Sequence, residues 1–70
     1  MKVIVRFEYG QENRFSDPYG PFDAIQVTYD LIRALHDDTE SEIAFFHEGL
    51  WKTPYDGKSW SDFIVEPSAQ

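Results

Sequence analysis

The sequence contains no cysteine, so no disulfide bond can hold its 70 residues together. A chain of this length buries only about 60% of the surface that its unfolded form exposes, and its stability must therefore come from dense packing. Aromatic side chains are plentiful, with two Trp, four Tyr and six Phe. Because each of them buries a large apolar area, we expect residues 1–70 to form a single domain without a covalent staple.

Basic residues are scarce as well. Six Lys and Arg stand against thirteen Asp and Glu, which gives a formal net charge of −7. This balance argues against nucleic acid or an anionic membrane as a direct ligand, because both require basic patches. A partner with a basic surface is the natural complement, and solubility alone is the alternative explanation of the charge.

A long hydrophobic run is the third missing feature. The apolar start of the chain, residues 1–10, is interrupted by Arg6. The run is too short for the core of a signal peptide or for a membrane span. The sequence therefore predicts a cytoplasmic protein that does not bind membranes.

The segment 21–38, PFDAIQVTYDLIRALHDD, predicts the main helix of the fold. At about 100° per residue its apolar side chains share one face. Pro21 suits the first helical position, where its missing N–H costs nothing. Asp23, Asp30 and Asp37 recur every seven residues and would form a straight acidic line, with about 10 Å between neighbours. The apolar face consists of Ala24, Ile25, Val27, Leu31, Ile32 and Leu35.

The end of this helix is left open by the sequence. Asp37 and Asp38 would be unfavourable in the last helical turn, where the helix dipole is negative. They are equally well explained as loop residues just beyond it.

The other elements are predicted to be strands. Residues 2–9 alternate strictly between apolar and polar, which is typical of a half-buried strand. Residues 10–13 form a turn, and residues 14–16 form a short strand that returns beside the first. Residues 42–47 are apolar on both faces and therefore predict a central strand.

Two further turns complete the pattern. Glu48-Gly49 and residues 54–57 lead into strands at 50–53 and 59–65, and residues 66–70 are a frayed tail. Trp60 is expected in the core, whereas Trp51 is the better candidate for the surface.

Together these elements predict an α+β fold of order β(β)αβββ. An antiparallel sheet of four strands, or five with the short one, would carry one helix packed on one face. The other face would remain bare and could serve as a dimer surface.

No motif points to catalysis or to metal binding. His36-Asp37-Asp38 and His47-Glu48 offer ligand atoms, but their spacing matches no established pattern. Nothing places a base beside Ser59 or Ser61, and Asp56, Asp62 and Glu48 are only generic candidates for paired acids. We therefore expect a protein that is not an enzyme, with no catalytic residue, no metal and no cofactor.

The acidic residues suggest a binding surface. Between Arg33 and Lys52 there is no Lys or Arg, while five acids fall in that interval. Regularly spaced charges on a rigid scaffold can imitate a phosphate backbone, although a solvated surface is the simpler explanation. The candidate partner-binding residues are Asp30, Asp37, Asp38, Glu40 and Glu42, with Tyr29 and Tyr55 as aromatic contacts.

Two stretches carry a resemblance to a known class of proteins. The closing hairpin, with Gly49-Leu50-Trp51 and the run DGKSWSD at residues 56–62, resembles the end of a small inhibitor of type I-F surveillance complexes. The run VTYDLI, residues 27–32, resembles a segment of a type I-E inhibitor. The chain thus resembles the small phage-encoded anti-CRISPR proteins, several of which are acidic mimics of DNA.

This resemblance implies an anti-defence inhibitor that acts in the host cell cytoplasm. Its target would be the basic nucleic-acid-binding surface of a protein or complex such as a CRISPR effector, with no direct contact to nucleic acid. Since anti-CRISPR proteins share no motif, the resemblance assigns no residue roles. The alternative is a small structural or accessory subunit that homodimerises through an exposed sheet face.

Overall fold

The structure is a computed structural model in which residues 1–68 are described, and these residues form nine β-strands and one short 3₁₀ turn, Gly10–Glu12. The strands are β1 (Val3–Tyr9), β2 (Arg14–Phe15), β3 (Tyr19–Phe22), β4 (Ala24–Val27), β5 (Leu31–His36), β6 (Thr39–His47), β7 (Leu50–Thr53), β8 (Lys58–Trp60) and β9 (Asp62–Pro67).

The strands form two antiparallel sheets. In the first sheet β1 pairs with β9 along one edge and with β2 and β3 along the other. The second sheet has the order β4-β5-β6-β7-β8, in which every neighbour in space is also the neighbour in sequence. The sheets pack through their inner faces and enclose the core between them.

Two bent segments join the sheets at opposite corners. At Asp23 the chain passes from β3 into β4, and at Ser61 it passes from β8 into β9. Backbone hydrogen bonds hold both corners: the Asp23 N–H donates to the Leu35 carbonyl oxygen at 2.8 Å, and the Ser61 N–H donates to the Glu8 carbonyl oxygen at 2.8 Å. The strand pairing therefore continues from each sheet into the other, and β1 closes against β9, the last strand.

The predicted α+β fold is wrong, because the segment 21–38 is not a helix. It contains the end of β3, then β4, a turn, β5 and a second turn. The apolar side chains pair across strands, with Ile25 opposite Ala34 and Val27 opposite Ile32. β-Branched residues are stiff at χ1 and pack well on a pleated sheet. Of the apolar face expected for the helix, the hairpin buries Ile32 fully and Ile25, Leu31 and Leu35 in part, whereas Ala24 and Val27 are exposed.

The predicted helix start is in fact part of a strand. Pro21 lies within β3 and follows a cis peptide bond from Gly20. Gly20 has φ of 116°, and a Cβ added there would lie 3.0 Å from the Val3 carbonyl oxygen. The position therefore requires glycine, both for its backbone conformation and for the close approach of β1.

The open question about Asp37 and Asp38 is resolved by a hairpin turn between β5 and β6. Both residues have positive φ, 49° and 64°, as a two-residue type I′ turn requires. Aspartate is among the residues that tolerate this region. The tight turn predicted at Glu48-Gly49 is confirmed, again with positive φ at both positions.

A bulge in β6 explains why two consecutive residues of one strand are both buried. Ile32 lies opposite Ala44 and Arg33 lies opposite Glu42, so Ile43 is the extra residue of the longer strand. Ile43 and Ala44 are consequently both in the core. The prediction that this strand is central is confirmed, since β6 lies between β5 and β7, but its two adjacent core residues come from the bulge, and Phe45 and Phe46 are about 40% exposed.

The core is rich in aromatic side chains from both sheets. Phe7, which is fully buried, makes ring contacts with Tyr19, Trp60 and Phe63. Trp60 is 1% exposed, as expected, but Trp51 is also buried at 7%, so the prediction of a surface role for Trp51 is wrong.

Some of the remaining predictions are confirmed and others are wrong. The first strand, the turn at 10–13 and the short return strand are confirmed by β1, the 3₁₀ turn and β2. The last predicted strand is divided at Ser61. The predicted fraying of residues 66–68 is wrong, because Glu66 and Pro67 belong to β9 and the Ser68 N–H donates to the Lys2 carbonyl oxygen at 2.9 Å; residues 69–70 of the predicted tail lie outside the described residues. Within residues 1–68 no helix is long and apolar enough to cross a membrane.

We predict that Thr53→Val destabilises the protein by about 1–3 kcal/mol, because it leaves a buried donor unpaired. The Thr53 hydroxyl is fully buried, accepts the Trp60 indole N–H at 3.0 Å and donates to the Asp56 carboxylate at 2.5 Å. Urea unfolding monitored by tryptophan fluorescence measures the loss. Thr39→Val, at an exposed position of β6, is the matched control and should change stability by less than about 0.5 kcal/mol. Equal stability of the two variants would contradict this role of Thr53.

Candidate functional site

The straight acidic line predicted along the helix does not exist. Asp30 lies in the turn before β5 and Asp37 lies in the turn after it, so the length of a six-residue strand, about 20 Å, separates them. Asp23 instead lies next to Asp37, whose N–H donates to its carboxylate at 3.0 Å. The charge spacing that suggested imitation of a phosphate backbone is therefore absent.

Four of the predicted partner-binding residues do come together. We call the tip and outer face formed by Asp37, Asp38, Glu40 and Glu42 the acidic hairpin. Asp37 and Asp38 form the turn between β5 and β6, and Glu40 and Glu42 lie on β6 with one residue between them, hence on the same face of the strand. All four residues are exposed.

The charges of the acidic hairpin are only partly matched by cations. Arg33 pairs with Glu40 at 3.2 Å, and the His36 imidazole lies 3.4 Å from the Asp37 carboxylate. Within residues 1–68, neither Asp38 nor Glu42 has an ion-pair or side-chain hydrogen-bond partner. An exposed pair such as Arg33 with Glu40 contributes little to the free energy of unfolding. Stability alone therefore does not explain why four acids lie on this hairpin.

The two predicted aromatic contacts lie elsewhere. Tyr29 is 89% exposed and lies beside Asp30, at the end of β5 away from the hairpin tip. Tyr55 is 73% exposed and belongs to the loop between β7 and β8. Asp30 and Tyr29 thus form a second exposed group, and Tyr55 is a third, separate position.

One group of side chains has ligand atoms close enough to hold a metal ion. Single ligand atoms of Asp23, His36 and Asp37 lie within 4.8 Å of one another. However, the Asp23 carboxylate already forms an ion pair with Lys2. The Lys2 hydrogen bond and then the Asp37 N–H lower the pKa of Asp23. This group therefore ties the β3–β4 corner to the hairpin, and we do not assign it as a metal site.

A cleft that sequence reasoning missed lies between the connection from β2 to β3 and the loop from β7 to β8. We call it the Arg14 cleft; its volume is about 390 Å³. Its residues come from parts of the chain about forty positions apart, so no local pattern indicates it. They are Arg14, Phe15, Ser16, Asp17, Pro18, Tyr19, Asp56, Lys58 and Trp60.

The guanidinium group of Arg14 contacts two aromatic rings. Its central carbon lies 5.0 Å from the centre of the Trp60 ring and 5.2 Å from that of Tyr9. One N–H also donates to the Ser59 carbonyl oxygen at 3.4 Å. Cation–π contacts of this kind fix the position of a cation without neutralising its charge.

Asp56 forms the opposite wall of the cleft and is saturated with donors. Its carboxylate accepts from the Thr53 hydroxyl, from the Lys58 N–H at 3.0 Å and from the Tyr19 hydroxyl at 3.1 Å. Desolvation acts to raise the pKa of Asp56, but these hydrogen bonds outweigh it and the pKa is lowered. The pKa of Tyr19 is raised, first by its partial burial.

The six bases divide into two groups. Lys2, Arg6 and Arg33 each pair with a carboxylate, Asp23, Glu66 and Glu40 respectively. In the described part of the chain Arg14, Lys52 and Lys58 have no carboxylate partner, and all three lie on or next to β8. Among the described residues, unpaired positive charge is thus concentrated around β8, away from the acidic hairpin, which carries Asp38 and Glu42 without a cation partner.

The serines considered as nucleophiles have structural contacts. The Ser59 hydroxyl accepts a hydrogen bond from the Lys52 ammonium group at 3.1 Å. The Ser61 hydroxyl accepts from the Gly10 N–H at 3.0 Å and donates to the Glu8 carbonyl oxygen at 3.2 Å. The candidate acids lie in three separate places: Glu48 in the β6–β7 turn, Asp56 in the β7–β8 loop and Asp62 at the start of β9.

No protein-family model, curated protein or solved structure matches this chain. The comparisons therefore give no support to the anti-CRISPR, phage or DNA-mimic interpretations. Together with the loss of the helical acidic line, this leaves the geometry of the described residues as the basis for a functional proposal.

We predict that Asp56→Asn lowers stability at neutral pH, and that the difference from wild type shrinks in acid. A carboxyl group whose pKa is lowered by folding stabilises the protein above its unfolded pKa of 3.8 and loses this effect as the pH falls through its folded pKa. Thermal unfolding measured between about pH 6 and pH 3 should show the two midpoints converging. A difference that stays constant over this range would show that the Asp56 charge does not stabilise the loop.

Proposed function

We propose that this chain is a non-enzymatic binding protein whose acidic hairpin docks on a basic surface of a partner protein. The observation that supports this most directly is the position of the unpaired carboxylates. Asp38 and Glu42 project from one hairpin without a cation partner in residues 1–68, whereas the unpaired bases lie around β8. A local excess of negative charge, such as the four acids of this hairpin, speeds association with an oppositely charged surface.

The shape of the hairpin favours docking. β7 pairs only with Phe45, Phe46 and His47, so within residues 1–68 the first part of β6 pairs with β5 alone. That part of β6 carries Glu40 and Glu42 and leads back to the Asp37-Asp38 tip. The acidic hairpin thus combines exposed charge with a strand edge that β7 leaves open.

The proposed partner follows from this charge. A protein with a basic surface of the sort that binds nucleic acid complements the hairpin, whereas nucleic acid itself and anionic membranes carry the wrong charge. We propose that the encounter takes place in the cytoplasm. No cofactor or metal is required for binding of this kind.

The alternative, a subunit that homodimerises through a bare sheet face, has lost its main support. That face was expected because one helix could cover only one side of one sheet. In the structure two sheets cover each other. The exposed large apolar side chains are spread over several elements: Phe15 on β2, Val27 on β4, Phe45 and Phe46 on β6, Ile64 and Val65 on β9, and Tyr29 and Tyr55 in loops.

We predict that reversing the free charges of the hairpin abolishes partner binding. In the double variant Asp38→Lys/Glu42→Lys each substitution changes the charge by two, so the net charge moves from −7 to −3. Immobilised protein would be exposed to cell lysate at low salt, and retained proteins would be identified after salt elution. We expect the wild type to retain a basic protein that elutes between about 0.1 and 0.3 M salt, where screening becomes strong. The variant should retain at least about tenfold less of that protein.

The double variant Glu12→Lys/Glu48→Lys is the matched control. It gives the same net charge of −3 and, like the test variant, changes one turn residue with positive φ, since Glu48 has φ of 53°. It should retain the partner. Equal loss of partner binding in both variants would show that only net charge matters. Retention of the partner by the hairpin variant would exclude the acidic hairpin as the docking surface. Sedimentation of the free protein as a salt-insensitive dimer would favour the alternative.

A further inference from the structure

We propose that the Arg14 cleft binds a small organic monoanion that carries a flat apolar group, such as an aryl carboxylate. This site is separate from the acidic hairpin, and the proposal does not depend on the partner of that hairpin. It rests on three properties of the cleft: its size, the balance of its charges and the apolar surface beside them.

The size suits a small ligand. Clefts that bind small molecules have volumes of about 300–1,000 Å³, and the Arg14 cleft, at about 390 Å³, lies near the lower end of that range. A single ring with an acidic substituent fits this volume better than a nucleotide or an extended peptide. The walls come from the β2–β3 connection and the β7–β8 loop, which the hydrogen bond from Tyr19 to Asp56 holds together.

The charges favour a single negative charge on the ligand. Arg14 and Lys58 both line the cleft, and within residues 1–68 neither forms an ion pair with a carboxylate. Asp56 is satisfied by three donors, so Asp17 is the one cleft carboxylate without a side-chain hydrogen bond among the described residues. The two acids offset the formal charge of the two bases, so an anion is favoured by the N–H groups of Arg14 and Lys58 that have no carboxylate partner among the described residues. A singly charged carboxylate would use these donors, whereas a phosphate dianion would place a second negative charge beside Asp17.

Arg14 is also positioned in advance. The contacts with Trp60 and Tyr9 hold the guanidinium plane, and the bond to the Ser59 carbonyl oxygen uses only one of its N–H groups. An arginine has five N–H donors in a fixed arrangement, so others remain for a carboxylate. A side chain that is already held loses little entropy when a ligand binds.

The apolar part of the cleft explains why the ligand should carry a ring. Phe15 is 55% exposed and lines the cleft together with Pro18 and Tyr19, above the buried Trp60. A flat apolar group placed there would cover this surface while its acidic group reaches Arg14 and Lys58. Burial of apolar area and a charge-assisted hydrogen bond would then act on one ligand.

The experiment is an NMR titration of the ¹⁵N-labelled full chain near neutral pH with three probes: phenylacetate, acetate and phenylacetamide. Acetate keeps the charge without the ring, and phenylacetamide keeps the ring without the charge. We expect saturable shifts in residues 14–19 and 56–60 and in the Trp60 indole N–H, with phenylacetate binding about tenfold tighter than either control, the value of one charged hydrogen bond.

Two variants at exposed positions test the charge and the ring separately. Lys58→Gln should weaken phenylacetate binding by about tenfold, whereas Lys52→Gln, which removes an equal charge next to the cleft, should change it by less than about twofold. Phe15→Ser should weaken phenylacetate binding and leave acetate binding unchanged. Both positions are exposed, so the variants should fold, and retention of the dispersed wild-type spectrum verifies this.

Several results would overturn the proposal. Shifts that spread over the surface, or equal effects of Lys58→Gln and Lys52→Gln, would show only general attraction between charges. Phenylacetate that binds no tighter than acetate would remove the apolar part of the assignment. Phenylacetamide that binds as well as phenylacetate would show that the cleft does not select an anion.

Discussion

Strand β1 is hydrogen-bonded along both of its edges, and the rest of the structure depends on this double pairing. Val3 lies opposite both Phe22 and Pro67, and Glu8 lies opposite both Phe15 and Asp62. The first strand therefore holds the return strand and the last strand in one sheet. Because β3, which also pairs with β1, and β9 bend into the second sheet, a five-stranded meander with only local pairing becomes one side of a closed core. Without disulfides, this non-local pairing is what joins the ends of the chain.

The two candidate surfaces are consequences of that arrangement. In the meander, β7 pairs with only the last part of β6. The acidic residues lie on the first part of β6, which extends beyond β7, and in the turn before it. The bulge at Ile43 turns Ile43 and Ala44 inward while Glu40 and Glu42 remain outside. The Arg14 cleft arises where the return strand meets the β7–β8 loop. The acidic hairpin and the bases near β8, which have no carboxylate partner among the described residues, therefore lie on different parts of the protein.

Several elements were predictable because their signals are local. Strict alternation identified β1, and Glu48-Gly49 identified a hairpin turn, since a glycine with positive φ is the residue that such a turn favours. The segment 21–38 was misassigned because Ala24, Val27, Leu31 and Leu35 fit a helical period. Its alternative pairs, Ile25 with Ala34 and Val27 with Ile32, become visible only when the chain is folded back at Thr28 to Asp30. Of the predicted site residues, the four acids of the hairpin lie together, because the end of segment 21–38 and β6 form that hairpin. Asp30, Tyr29 and Tyr55 lie elsewhere.

The sequence by itself determined the excess of negative charge, the reliance on aromatic packing, the turns at Glu48-Gly49 and residues 54–57, and the alternation of the first strand, because each of these depends on residue types or on neighbours along the chain. The tertiary structure alone decided that residues 24–36 are strands, that Asp23 belongs to a corner with Lys2, and that Arg14 meets Trp60 across 46 positions of sequence. Those outcomes depend on hydrogen bonds and ring contacts between distant segments. A backbone segment can satisfy its N–H and C=O groups either within a helix or across a sheet. Which of the two it forms depends on the partner strands that the rest of the chain offers.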